Sequence, residues 1–410
     1  MPLNDQQIQT LGRDALQRAA AGDFAAAEEM FGRIVEARPN MGQALHLLGQ
    51  FRLKLGRFAE AREPLERAAQ FLPREVAAQT NLAGCLLQLG QNEQALAALV
   101  RAARLKPDDA SIAHNTGRAL EALGRAEEAE RAYDQALSID NRLVPSLSAR
   151  ADLLAARGEW AGALTDLETA LVSHPADPRL RLRRGKLLLR QGDWWRGLGD
   201  HEARLEIAGE RYAPELPNWQ GEPLTGRLLV YPEQADIGSS EALRDTLMLA
   251  RGVDAIIQGA VVQCAAPLAG WFDGPTVQRG EPLDGFAAAA PLRSLPHLLN
   301  WSLDALPPPA RLRPQAVPSS RVGWFSLVEP PAGLEITRAP DEIPACRLVV
   351  GDDAWPAHAA ASLGIPTVIL LPRTADWLWG PRLGISPWYA SAELLRDDDR
   401  EGLAARLARC

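Results

Sequence analysis

Two side chains in the second half of this 410-residue chain are candidates for exchanging a proton with a substrate. Asp236 lies in a polar loop that follows a short apolar segment, and His358 lies near the start of a predicted helix, shortly after Asp353. Carboxylate and imidazole groups are common general acids and bases in enzymes. Asp236 and His358 are therefore the candidate catalytic residues.

Two asparagines in the first half have a spacing that favours a different chemistry. Asn81 and Asn115 are 34 residues apart, whereas the equivalent positions before and after them hold Leu47, Ala149 and Arg183. A primary amide is both a hydrogen-bond donor and an acceptor, so stacked asparagines can pair with a peptide backbone of any sequence. The alternative is that both asparagines satisfy local hydrogen bonds.

The same 34-residue spacing governs the whole first half, where a glycine recurs at Gly22, Gly56, Gly90, Gly124, Gly158 and Gly192. This period is typical of tetratricopeptide repeats, each of which is a pair of helices. Glycine tolerates the backbone angles of the turn between the helices, and prolines near the repeat ends stop the second helix. Repeats are expected at about 8–41, 42–75, 76–109, 110–143, 144–177 and 178–205.

Stacked helical pairs of this kind form an α-solenoid with a concave groove. We therefore predict six repeats over residues 1–205 and a protein partner held in that groove.

Composition limits the class of protein. The N-terminus has no basic leader and no later stretch reaches about 18 apolar residues, so we expect a cytoplasmic protein without a membrane span. Residues 206–410 carry 17 Lys plus Arg against 25 Asp plus Glu and contain no lysine. An acidic domain repels phosphate backbones, which argues against a nucleic-acid partner. The cysteines have no metal-ligand or disulfide spacing, so neither a metal site nor a cofactor is expected.

The second half is not repetitive, and its short apolar segments alternate with helical ones. Strands are predicted at Arg227 to Tyr231, Ala260 to Cys264, Val322 to Leu327, Leu348 to Val350 and Thr367 to Leu371. Alternation of strands and helices favours parallel α/β sheets. We predict a first Rossmann-like lobe over 206–305, a proline-rich linker over 306–320 and a second lobe over 321–410.

Several short segments of the second half carry a family resemblance. They are Pro217 to Arg227 (PNWQGEPLTGR), Leu229 to Gln234 (LVYPEQ), Arg279 to Leu283 (RGEPL), Asp353 to Pro366 (DAWPAHAAASLGIP), Asp376 to Trp379 (DWLW) and Ser386 to Tyr389 (SPWY). In this order, the chain resembles bacterial proteins that join tetratricopeptide repeats to a GT-B glycosyltransferase module, related to O-GlcNAc transferases and heptosyltransferases. The resemblance implies a nucleotide sugar between two Rossmann-like lobes, with its diphosphate at a helix N-terminus. The implied contact residues are Gly238, Ser239, Asp353, Ala354, Trp355 and Arg373.

The chain departs from the family pattern at three places. Ala354 and Trp355 replace a hydroxyl-bearing segment, and Ser239 stands where the family has the aspartate that is its candidate base. A serine with an unperturbed hydroxyl is no base at neutral pH. The second lobe is also shorter than the family's, which predicts a truncated nucleotide-binding half.

Two functions remain open. The first is a protein-binding scaffold built on a degenerate glycosyltransferase, acting in protein glycosylation or surface polymer assembly. The second is an active glycosyltransferase that moves a sugar from a nucleotide donor to a protein held by the repeats. The three departures favour the scaffold.

Overall fold

The computed structural model describes residues 3–209, 212–213, 215–234, 236–251, 253, 259–302, 304–309, 312, 320–331, 334–372, 375, 377–379 and 383–408. The chain divides into two compact units, which cover residues 1–175 and 176–410.

The first unit is a series of helical pairs. Its helices are α1 (Asp5–Ala20), α2 (Phe24–Ala37), α3 (Gly42–Lys54), α4 (Phe58–Phe71), α5 (Val76–Gln88), α6 (Asn92–Leu105), α7 (Ala110–Ala122), α8 (Ala126–Ile139), α9 (Val144–Ala156) and α10 (Trp160–Ser173). The two helices of each pair pack on one another, and α2, α4, α6 and α8 also pack on the first helix of the next pair. The result is the predicted helical solenoid.

The periodic small residues explain the geometry of the pairs. The six repeat glycines adopt φ angles from 70° to 89°, a region that suits glycine because it has no Cβ. Alanines such as Ala27, Ala61 and Ala95 are fully buried between helices. The helices can therefore approach closely at these points.

The second unit begins with helices α11 (Pro178–Gln191), α12 (Trp194–His201) and α13 (Ala203–Ala208). The sequence places these residues in the sixth repeat, but Leu189, Trp194 and Leu198 lie in one hydrophobic core with the α/β elements. The first compact unit therefore ends at residue 175, one helical pair before the domain limit that the sequence predicted at residue 205.

The first sheet of the second unit consists of β1 (Arg227–Tyr231), β2 (Ala260–Gln263), β3 (Thr276–Val277) and β4 (Phe286–Pro291). Its order is β3-β2-β1-β4 and all its pairings are parallel. Helices α14 (Ser240–Leu249), α15 (Ala266–Ala269) and α16 (Leu295–Leu298) accompany it. Because the strand order reverses beside β1, the carboxyl ends of β1 and β4 form the place where doubly wound sheets usually bind ligands.

The second sheet consists of β5 (Val322–Phe325), β6 (Ile336–Thr337), β7 (Leu348–Asp352), β8 (Thr367–Leu371), β9 (Gly384–Ile385) and β10 (Ala392–Arg396). Its order is β6-β5-β7-β8-β10-β9, and only the β9–β10 pairing among the described strands is antiparallel. Helices α17 (Trp355–Ser362) and α18 (Arg400–Leu407) belong to this part of the chain.

The predicted parallel α/β architecture is confirmed, and so are the bounds of β1 and β8. The remaining predicted strands differ from the observed ones by one or two residues at an end. In the predicted linker, residues 310–311 and 313–319 lie outside the described residues.

A continuous hydrophobic core connects the two sheets. It contains Leu228 and Val230 of β1 together with Ile369 and Leu371 of β8, all of which are essentially inaccessible to solvent. Helix α14 of the first sheet also packs directly on helix α17 of the second. Among the described residues, side chains of both sheets therefore share one hydrophobic core.

Candidate functional site at the junction of the two sheets

A buried triad of polar side chains, Asp353, His358 and Tyr389, lies where the two sheets meet. Asp353 directly follows β7, and His358 lies on the first turn of α17. The Nε2 atom of His358 is 3.0 Å from Oδ1 of Asp353, and its Nδ1 atom is 3.2 Å from the hydroxyl oxygen of Tyr389. The triad joins the end of β7 to the loop between β9 and β10.

The protonation states of the triad follow from its surroundings. Burial opposes the charge of Asp353, but the hydrogen bond from His358 and the positive charge of Arg244 outweigh it and lower the pKa of this carboxyl to about 2. Burial lowers the pKa of His358 and raises the pKa of Tyr389. A neutral imidazole then donates from Nε2 to the carboxylate and accepts the hydroxyl proton of Tyr389 at Nδ1.

Arg244 of α14 connects the triad to the first sheet. Its Nη1 atom is 3.0 Å from Oδ2 of Asp353, and its Nη2 atom is 2.9 Å from Oδ1 of Asp245. The second oxygen of Asp245 accepts hydrogen bonds from Gln234 at 2.8 Å and from Arg293 at 2.6 Å. These buried charges are paired, and the ion pair between Arg244 and Asp353 bridges the two sheets.

Ala354 and Trp355 occupy the N-terminus of α17, as the sequence predicted. Ala354 is the N-cap residue and provides no side-chain hydrogen bond to the helix. The half-buried indole of Trp355 meets the indole of Trp271 edge to face, with ring centroids 6.2 Å apart. The indole is therefore in contact with the protein at the position where the family resemblance places a diphosphate.

The loop after β1 holds Asp236, Gly238 and Ser239 in structural contacts. The Oδ1 atom of the exposed Asp236 accepts a hydrogen bond from the amide of Gly238 at 2.9 Å, which closes a short turn. The hydroxyl of Ser239 caps α14 by accepting from the amide of Ala242 at 3.2 Å. Ser239 thus has the ordinary role of a helix N-cap.

The strand order of the first sheet reverses beside β1, and we call the place between the carboxyl ends of β1 and β4 the switch-point crevice. Arg204 of α13 lies there. Its guanidinium binds both carboxylate oxygens of Glu233, at 2.9 and 2.5 Å, and donates to the hydroxyl of Ser294 at 2.8 Å. Glu202 completes the cluster because it accepts from both Arg204 and Ser294, at 2.5 and 2.7 Å. Protein side chains therefore occupy the usual ligand position of the first sheet.

The corresponding position of the second sheet lies between β5 and β7. There the carboxylate of Asp352 accepts from the hydroxyl of Ser326 at 2.6 Å and from the amide of Leu327 at 3.0 Å. Asp352 and Asp353 thus place two carboxylates directly before the N-terminus of α17.

The two repeat asparagines make local contacts. The side-chain nitrogen of Asn81 is 2.8 Å from Nε2 of His46, and the side-chain oxygen of Asn115 is 3.5 Å from a guanidinium nitrogen of Arg118. Both asparagines are only half-buried, so one face of each remains accessible.

Three further expectations from the sequence concern Arg373, a metal site and a membrane span. Arg373 lies outside the described residues. Within the described ranges, no group of three or more His, Cys, Asp or Glu side chains could hold a metal ion. No described helix has the length and apolar character needed to span a membrane.

Sequence reasoning missed Arg244, Arg204 and the role of Tyr389. A usable signal exists for Arg244, because Arg244 and Asp245 are charged residues within an otherwise apolar stretch of α14 and are both buried. Buried charges need partners. The sequence did not reveal which residues those partners are.

Comparisons with known proteins concern the helical part of the chain. Residues 20–102 match the family model described as anaphase-promoting complex, cyclosome, subunit 3, and residues 80–145 and 148–208 match a tetratricopeptide-repeat model. The N-terminal helices are therefore tetratricopeptide repeats, a class of repeat that typically binds proteins. No curated protein matches the chain.

Similar solved structures are also repeat proteins. A thermophilic TPR protein of Thermus thermophilus is 29% identical, with 44% of this chain and 99% of that chain covered and a TM-score of 0.37. PilF of Pseudomonas aeruginosa is 17% identical, with 50% and 94% covered and a TM-score of 0.45. A tetratricopeptide repeat protein from Parabacteroides merdae is 21% identical, with 51% and 82% covered and a TM-score of 0.44.

Proposed function

We propose that this chain is a non-catalytic protein-interaction scaffold, in which the repeats bind protein partners and the α/β part is a degenerate glycosyltransferase. In this proposal the protein acts in protein glycosylation or in the assembly of a surface polymer. The hydrophobic core that the two sheets share is the observation that carries it. A transferase of the GT-B kind would need a cleft between its two lobes for its donor.

The contacts between the two sheets would oppose the opening of a cleft between them. Leu228 and Leu371 of the shared core are buried, and the ion pair between Arg244 and Asp353 is largely buried. Opening a cleft would expose apolar surface at a cost of about 25 cal/mol per Å². It would also separate two buried charges, which is strongly destabilising.

The electrostatics near α17 also support the absence of a donor. A diphosphate at this helix N-terminus would lie beside the carboxylates of Asp352 and Asp353 and against the indole of Trp355. Like charges repel at short range in a medium of low dielectric constant. The helix amides would have to overcome that repulsion.

The candidate catalytic residues are poorly placed for proton transfer. His358 has no solvent-exposed surface, and both of its ring nitrogens have protein partners. Asp236 is exposed, but its Oδ1 atom is engaged by the amide of Gly238. A general base must reach the proton that it removes.

A calorimetric titration with a panel of nucleotide sugars and free nucleotides tests the proposal. We expect no binding to the wild-type chain. The double substitution Ala354→Thr with Trp355→Ser removes the indole and restores a hydroxyl at the helix N-terminus, so it should raise nucleotide affinity without producing turnover. Binding together with sugar transfer by the wild type would overturn the scaffold proposal.

The alternative of an active glycosyltransferase is favoured by one observation. Asp353 and His358 lie at the amino end of a helix that follows a parallel strand, which is a usual anion-binding position. If the wild type transfers a sugar, the transfer rates of the variants His358→Asn and Asp236→Asn show which of the two residues the reaction requires.

The concave surface of the repeats, which carries Asn81 and Asn115, provides a second test of the scaffold proposal. If Asn81 and Asn115 bind a peptide backbone, replacing both with alanine should weaken partner binding by about 1–3 kcal/mol through lost hydrogen bonds. Circular dichroism should show an unchanged helical fold. Unaltered binding by the folded double variant would leave both asparagines with local roles only.

A further inference from the structure

A groove of about 480 Å³ lies between α4 and α6, and α5 forms its floor. It is lined by Glu66, Ala69, Gln70, Pro73, Gln79, Leu82, Leu86, Gln94, Ala97 and Arg101. Its buried lining residues are the apolar Leu82, Leu86 and Ala69 and the polar Gln79. Charged and amide side chains stand along its rims.

Two alanines of the groove stand where some other repeats have larger residues. Ala69 corresponds to Ala103 of the next repeat and to Leu137 and Leu171 of later ones, and Ala97 corresponds to Glu63 of the preceding repeat.

The replacement of Glu63 by Ala97 also changes the charge of the groove. In the preceding repeat, Arg67 is paired with Glu63, four residues earlier on α4, at 3.0 Å. Arg101 is the equivalent of Arg67, but the residue four positions before it is Ala97. Arg101 therefore lacks the carboxylate that its counterpart has.

Arg101 is nevertheless held in place. Its Nε atom donates to Oε1 of the buried Gln79 at 3.0 Å, and the Nε2 atom of Gln79 donates to the carbonyl of Ala69 at 3.2 Å. Within the described part of the chain, the two Nη groups of Arg101 have no hydrogen-bond or ion-pair partner. The carboxylate of Glu66 is engaged by Arg62 at 2.7 Å. The groove thus presents a positioned cation beside an apolar floor.

The groove is distinct from the surface that carries Asn81. An α-helix turns by about 100° per residue. Around the axis of α5, Gln79 therefore lies about 160° from Asn81 and Leu86 about 140° from it. A peptide in this groove would not contact the two asparagines.

We propose that this groove binds a linear peptide segment of a partner protein. The segment places an apolar side chain on Leu82 and Leu86, and a neighbouring carboxylate pairs with Arg101 in the place of the missing glutamate. This inference deepens the proposed scaffold function and rests on it, because it names the chemistry of the partner.

Selection of random linear peptides displayed on phage against the full chain tests this inference. We expect enrichment of peptides that carry Asp or Glu beside Leu, Met or Phe. A synthetic peptide of the enriched sequence, labelled with fluorescein, then serves as the probe in anisotropy titrations. Failure to enrich such peptides would overturn the inference.

Two variants locate the binding site of this probe. Ala97→Glu restores the internal carboxylate, which should pair with Arg101 as Glu63 pairs with Arg67, and Arg101→Gln removes the cation. Each should weaken probe binding at least about tenfold, because a charge-assisted hydrogen bond is lost. The matched control is Thr165→Glu, which makes the same change at the equivalent position two repeats later and should leave affinity unchanged.

The outcomes separate this inference from the scaffold proposal. If the probe binds Ala97→Glu and Arg101→Gln as tightly as the wild type, the groove is not its site, whereas the scaffold proposal stands. If the probe instead loses affinity for the double alanine variant of Asn81 and Asn115, the concave surface is the binding site. Sugar transfer in the calorimetric panel overturns the scaffold proposal independently of either result.

Discussion

The carboxylate of Asp353 binds side chains from both parts of the second unit. His358 contacts one of its oxygens, and Arg244 contacts the other. Its carboxylate is ionised because these two partners outweigh the cost of burial. Loss of its charge would remove a carboxylate partner of the nearly buried Arg244. Asp353 is therefore a structural link in this fold.

We predict that Asp353→Asn lowers the free energy of unfolding by roughly 2–4 kcal/mol, because removing one member of a buried ion pair is costly. Urea denaturation followed by circular dichroism measures this change. Asp236→Asn is the matched control, since Asp236 is exposed and its Oδ1 atom accepts a hydrogen bond from the neighbouring amide of Gly238. Equal stability of the two variants would contradict a structural role for the ion pair.

The buried histidines make stability depend on pH. Burial lowers the pKa of His46, His114, His201 and His358 below their ordinary value of 6.5, to about 4 for His114. Each therefore contributes stability that is complete above pH 6.5 and is lost as the pH falls towards the folded-state pKa, because the unfolded chain then binds more protons.

We expect the urea midpoint to fall as the pH is lowered from about 7 to about 5. His114→Asn should reduce the slope, because it removes a group that must stay neutral beside the hydroxyl of Ser146 at 3.0 Å. A midpoint that stays constant over this pH range would show that the buried histidines do not control stability.

At the scale of the helices, glycines in the repeats have two different roles. A Cβ atom on Gly117 of α7 would overlap the buried ring of Tyr133 on α8, whereas a Cβ atom on Gly84 of α5 would have no neighbour within 4 Å. The first glycine permits close packing of a helical pair. The second only lowers the helix propensity of α5.

We predict that Gly117→Ala destabilises the protein by about 1–3 kcal/mol through overpacking. In contrast, Gly84→Ala should stabilise it by about 0.5–1 kcal/mol through helix propensity. Thermal unfolding of the two variants checks both signs. A stabilised Gly117→Ala variant would mean that α7 and α8 can separate at little cost.

At the scale of the whole molecule, the contact pattern divides the chain after residue 175, whereas the repeat period runs on to 205. The sixth helical pair has the sequence of a repeat but the packing of the α/β part. Leu189, Trp194 and Leu198 are almost completely buried in its core.

Two fragments distinguish these limits. We expect residues 1–175 to form a monomeric helical array, because contacts in a repeat stack are with neighbours and their energies add. Residues 1–205 should associate, because the apolar side chains of α11 and α12 would lose their partners. Sedimentation velocity measures the association. A monomeric 1–205 fragment of full helicity would support the limit drawn from the sequence.

The sequence by itself determined the local and periodic features of this protein. The repeat glycines, alanines and prolines predicted the helical pairs, because each acts within its own turn or helix. The short apolar runs predicted β1 and β8 with their observed bounds, since a strand buried on both faces has a continuous apolar sequence. The helix that begins near Asp353 was likewise predicted from nearby residues.

The tertiary structure alone decided what those elements do together. Arg244 and Asp353 are 109 residues apart in sequence, and no local pattern shows that they form an ion pair. The same is true of the contact between Trp271 and Trp355 and of Arg204 in the switch-point crevice. Packing of distant surfaces depends on shape and charge in three dimensions, so the hydrophobic core shared by the two sheets could be seen only after the chain was folded.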